Sequence, residues 1–103
     1  MKLSEMKSAE QVLAEQLKDP AFREEWERTA LARAVATRVV AYRAQAGLSQ
    51  AALARKLGVS QPLVARLEAG EHEPTLTTLV RLSRCLELEF HIEITPSSIQ
   101  LTA

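Results

Sequence analysis

The chain has 103 residues, 47% apolar and 25% charged, with 13 Lys/Arg matched by 13 Asp/Glu. That suits one folded domain with a short appendage at each end, and with only 4% aromatic residues the core must be aliphatic. A single cysteine, Cys85, excludes an internal disulfide framework and reads as a buried, inert thiol, while the absence of a signal-like or membrane-spanning apolar run points to a cytoplasmic protein.

Taken in chain order, Ser8 to Leu17 places Ala9, Val12, Leu13 and Leu17 at helical spacing. Asp19–Pro20 is a helix start, because Asp caps free N–H groups and Pro suits the first turn. From Ala21 to Ala46 no further Pro or Gly intervenes, and Phe22, Trp26, Leu31, Val35, Val39 and Tyr42 fit one continuous helix closed by Gly47. Ser49 is expected to cap Gln50–Leu57, with Gly58 as the turn. Ser60 caps Gln61–Ala69, and Gly70 closes it. After Glu71–His72–Glu73–Pro74, Thr75 caps a helix Leu76–Leu86 with Leu76, Leu79, Val80, Leu82 and Leu86 inward.

The tail changes period. Leu86, Leu88, Phe90, Ile92 and Ile94 alternate with polar residues, as in a half-buried strand. Pro96–Ser97–Ser98 then offers a turn, and Ile99–Gln100–Leu101 a return strand. The fold class is therefore all-α: a compact bundle, an N-terminal helical extension and a short C-terminal strand or hairpin. Its expected divisions are an acidic helical extension over 1–28, a domain over 29–86 and a tail over 87–103.

Neutrality hides a distribution. Residues 1–28 carry five basic and seven acidic side chains, residues 29–86 eight and three, and residues 87–103 none and three. A basic middle between acidic ends is the footprint of a middle segment that meets phosphate.

The segment Gln50 to Leu67 carries the sharpest constellation. Counted from Gln50, Ala54 stands fifth, where two helices cross closely, and Gly58 ninth, at the turn that sets their angle. Val64 and Leu67 stand one helical turn apart and face the core, with Leu53, Leu57 and Val59 completing the packing. Each position has its own steric reason, and all are met together.

The run RAQAGLSQAALARKLGVSQPLVARLEAG from Arg43 to Gly70, followed by PTLTTL, resembles the phage-repressor-like (XRE/Cro) helix-turn-helix family over about residues 30–86. The resemblance implies that the helix from Gln61 enters the major groove of double-stranded DNA, with Ser60 at its start. Gln61 then suits adenine and Arg66 guanine, while Pro62 and Leu63 offer apolar surface to a thymine methyl. Gln50, at a helix N-terminus, suits a phosphate. Without the motif, Gln61 and Arg66 would read as solvated surface. Arg43 and Glu68 match a family pair that bridges the first and third helices. The acidic loop departs from expectation, so either backbone N–H groups near Thr75 meet the phosphate or the loop stands off the DNA.

His72 and His91 lack metal-ligand spacing, and no nucleophile–base pair or phosphate-cradling loop appears, so no metal, cofactor or enzymatic activity is expected. The acidic lead and the tail LELEFHIEITPSSIQLTA are similar to antitoxins of the HigA type. That likeness implies an autorepressor that neutralises a HigB/RelE-like ribonuclease toxin; the alternative is a stand-alone repressor whose flanks serve dimerisation. A homodimer on a palindromic operator is expected in both cases.

Overall fold

The computed structural model describes residues 7–102; Met1 to Met6 and Ala103, the outermost parts of the expected extension and tail, lie outside them. Six helices run in order: α1 (Ala9–Gln16), α2 (Pro20–Arg28), α3 (Ala30–Ala46), α4 (Gln50–Leu57), α5 (Gln61–Ala69) and α6 (Leu76–Leu86). An antiparallel hairpin of β1 (His91–Thr95) and β2 (Ser98–Thr102) follows.

The helix starts are chemically explicit. Ser49 accepts from Ala52 N–H at 3.1 Å, Ser60 from Leu63 N–H at 3.3 Å and Thr75 from Thr78 N–H at 3.1 Å. Asp19 accepts from Ala21 N–H at 3.1 Å, and Ser8 and Gln11 form a reciprocal capping box. Each such cap contributes about 1 kcal/mol, a useful share of the stability of helices only two or three turns long.

The core is aliphatic. Leu31, Val35 and Val39 of α3 meet Leu53, Ala54 and Leu57 of α4, Val64 and Leu67 of α5, and Leu79, Leu82 and Leu86 of α6. Val39, Leu53, Val64 and Leu82 are wholly buried, and each such side chain stabilises the fold by about 1.5–3 kcal/mol. Among the described residues no polar or charged residue is buried as a whole. Cys85 is half-buried against the edge of this core, less enclosed than expected.

Three elements differ from the sequence reading. The expected helix from Ala21 to Ala46 is two helices, broken at Thr29, whose backbone sits at φ −98°, ψ 11°. The Thr29 hydroxyl donates to the Glu25 and Trp26 carbonyls at 3.0 and 3.3 Å and accepts from Arg33 Nη1 at 2.5 Å. A side chain that takes up carbonyls of the preceding turn competes with the helical ladder and bends it. On α6, Leu76 is 74% and Val80 41% exposed, not inward. The buried stripe is Leu79–Leu82–Leu86, and at about 100° per residue Val80 is carried onto the side wall while Leu76 opens the helix. The strand pattern expected from Leu86 begins only at His91. Leu86 remains helical and Glu87 closes α6 in the left-handed conformation at φ 54°, after which Leu88 and Phe90 pack on the core without joining the ladder.

The hairpin returns through Pro96–Ser97, with Ile92 opposite Leu101 and Ile94 opposite Ile99. Strand β2 lies against α3 and α2. Arg38 of α3 stacks its guanidinium 4.8 Å from the centre of the Phe90 ring and donates to the Glu89 carbonyl, so the chain leading into β1 is tied to the bundle.

Candidate nucleic-acid interface

Helices α4 and α5 meet through their smallest and most buried positions. Ala54 is 3% exposed, and Val64 and Leu67 complete the contact from α5. Gly58 joins the two helices at φ +71°, a conformation that costs other L-residues about 1–2 kcal/mol. A feature invisible to local sequence reasoning holds this corner. Arg81, 24 positions from Leu57, donates through Nη1 to the Leu57 carbonyl at 3.0 Å and the Gly58 carbonyl at 3.3 Å. It thereby satisfies carbonyls left open at the end of α4.

Gly70 ends α5 against α3. A Cβ there would lie 3.3 Å from the Ala36 Cβ and 3.4 Å from the Arg33 Cα, so bare backbone is what allows α5 to sit this close. The pair expected from the resemblance also fastens these helices. Arg43 Nε and Nη2 each donate to Glu68 at 2.8 Å, a fork on a carboxylate whose side chain is only 8% exposed. The Arg43 hydrogen bond holds the Glu68 carboxyl below its ordinary pKa, helped by Gln50 and opposed by partial burial. Glu68 in turn raises that of Arg43.

Gln50 is thus placed in this network, its Nε2 donating to Glu68 Oε1 at 3.3 Å. Its second Nε2 hydrogen and the N–H groups of Gln50 and Ala51, ahead of the Ser49-capped Ala52, remain for an anion. On α5, Gln61, Pro62 and Arg66 are exposed, whereas Leu63 is half-buried and offers only part of its apolar surface. Leu63 and Arg66 share a shallow depression of about 210 Å³ with His72, Glu73 and Thr75. The structure therefore brings the middle of α5 and the start of α6 to one concave surface. The Thr75 hydroxyl both accepts from Thr78 N–H and donates to the Thr78 hydroxyl at 3.0 Å.

The basic middle segment divides by use. Arg33 lies 3.3 Å over the Trp26 ring, Arg38 holds Phe90 and Glu89, Arg43 holds Glu68, Lys56 donates to the Tyr42 hydroxyl at 2.8 Å, and Arg81 clamps α4. Among the described residues Arg55, Arg66 and Arg84 have no such partner. Most of the positive charge that looked like a phosphate footprint is fastening the fold, and Arg66 is the free cation on the exposed face of α5.

Compared with known families, residues 39–92, just over half of the chain, match the profile described as Helix-turn-helix. The chain belongs to this XRE-type helix-turn-helix family. As a helix-turn-helix protein it is a sequence-specific DNA-binding regulator, and α4–Gly58–α5 is its motif, with α5 the second, reading helix. Neither the curated proteins nor the solved structures give a match.

Proposed function

We propose that this helix-turn-helix protein is the cytoplasmic antitoxin of a type II toxin–antitoxin pair. As a homodimer on a palindromic operator it represses its own operon, and it neutralises a HigB/RelE-like ribonuclease toxin. The observation that carries the second half is the helical lead. Neither α1 nor α2 contributes a buried residue, yet both are well capped, and residues 7–28 carry six acidic and four basic side chains. A capped, acidic segment that adds nothing to the core suits a basic, RNA-binding partner.

On DNA, Gln61 and Arg66 read base edges, Pro62 and Leu63 meet a thymine methyl, and Gln50, Ser60 and Thr75 hold phosphates. The scaffold for these contacts is Arg43, Ala54, Gly58, Val64, Leu67 and Glu68. With one reading helix per protomer, half-sites lie about 34 Å apart or a multiple of that. The packing of β2 on α2 and α3 favours a second reading, a stand-alone repressor whose tail merely completes its own fold. Co-expression with the product of the adjacent gene decides between them. A stable complex and relief of toxicity are expected, whereas a harmless neighbour that does not associate overturns the antitoxin reading.

A further inference from the structure

We propose that the groove between α2, the Glu71–Glu73 loop and the hairpin turn docks a basic segment of a second protein, one that alternates cationic and aliphatic side chains. This rests on the reading of a protein partner and names the surface that receives it. The groove encloses about 440 Å³. Its apolar part is Ile94, Pro96 and Ile99 from the hairpin, and Ile94 is 73% exposed, an unusual outlay of aliphatic surface on so small a chain. Its rim carries Glu24 and Glu27 from α2 and Glu73 from the loop. Arg28 also lines it, but its guanidinium is engaged by Glu25 at 2.5 and 3.0 Å, so the carboxylates dominate the rim.

These residues come from three segments that are far apart in the chain, and each looked anomalous alone: an acidic lead outside the core, an acidic loop beside a DNA-reading helix, and an isoleucine left in water. Together they make one surface with one complement. Carboxylates in a concavity focus a negative potential, which repels phosphate and draws cations. An aliphatic floor has no use for a hydrated ion, so it calls for a side chain between the cationic ones. Glu73 also borders the depression that holds Arg66 and Thr75, so a segment seated here lies next to the DNA-reading face.

The test uses the full chain, isotope-labelled, titrated with a seven-residue peptide of alternating Lys and Leu and with its Glu–Leu counterpart. Amide shifts are expected on α2, residues 71–73 and residues 94–99 with the Lys peptide only. Ile94→Ser should weaken it about tenfold with operator affinity unchanged, and the double variant Glu24→Lys/Glu27→Lys should weaken it at least as much. Shifts spread evenly over Glu10, Glu15, Glu87 and Glu89, variants that bind like the parent, or a groove filled by a second copy of the chain would each overturn the proposal. The co-expressed neighbour separates the two ideas. If parent and groove variants all capture it, the groove is wrong and the partner reading stands. If the parent does not capture it, the toxin reading fails and the peptide titration alone decides the groove.

Discussion

Replacing Gly47, Gly58 and Gly70 by Ala, one at a time, separates backbone strain from helix packing. The three glycines share nearly one conformation, with φ of +68°, +71° and +66°, but differ in what a methyl would meet. At Gly47 nothing lies within 4 Å. The cost there is the left-handed conformation alone, about 1–2 kcal/mol, less about 0.4–1 kcal/mol for the reduced freedom of the unfolded chain, leaving about 1 kcal/mol. At Gly58 the methyl meets only Arg81 Nη1, at 3.3 Å, which can move at the expense of its hydrogen bonds to α4. At Gly70 it meets the Ala36 Cβ and the Arg33 Cα on α3, which cannot yield without shifting a helix. Overpacking of this kind adds about 1–3 kcal/mol, for a total near 2–4 kcal/mol. Urea titration at fixed protein concentration should therefore rank the losses Gly47 < Gly58 < Gly70. On thermal melting each kcal/mol should appear as a drop of about 4–8 °C. Equal losses at Gly47 and Gly70 would refute the claim that close approach to α3, rather than the turn alone, requires glycine at the end of α5.

Arg66→Ala should leave the melting temperature unchanged, because Arg66 is tied to nothing in the fold, yet cost about 1–3 kcal/mol at a single operator position in a base-substitution binding series; a uniform loss at every position would make it a phosphate contact. The pKa of Glu68 is lowered in the folded state, so its contribution is present above its unfolded value and lost as pH falls through the lowered one. Stability of the parent should accordingly decline below about pH 4.5 more steeply than that of Glu68→Gln, and parallel curves from pH 7 to pH 3 would count against it. Glu87→Gly should raise stability by about 1 kcal/mol by relieving the left-handed close of α6 at φ 54°, and a fall on thermal melting would show that the Glu87 side chain matters more than its backbone.

The motif was legible in the sequence because its determinants are local. Serine or threonine three residues before the N–H it accepts from, glycine at a helix end, and apolar residues a turn apart all act within a few positions. The elements in which structure and sequence pattern differ depend on competition or on distant partners. Thr29 breaks a pattern with no Gly or Pro in it, because its hydroxyl competes for carbonyls of the preceding turn. Leu86 fits both a helical and an alternating pattern, and Glu87 ends the helix without the usual glycine. The uses of Arg33, Arg38 and Arg81 could not be seen as charge, since their partners are an indole, a phenyl ring with a carbonyl, and the end of another helix. The open face of α5 was legible by period alone, but the depression that joins Arg66 to Thr75 needed the fold.

The place of Trp26 has a practical consequence. It is the only tryptophan of the chain, and it sits outside the core, on α2, with Phe22 stacked 6.2 Å away and the Arg33 guanidinium over its ring. Its emission therefore reports whether the lead is docked on the bundle, while far-ultraviolet dichroism sums all six helices, most of whose residues lie in α3 to α6. Where the two signals part company on warming, the lead undocks before the DNA-binding bundle unfolds, and the melting of the whole chain is not a single two-state step.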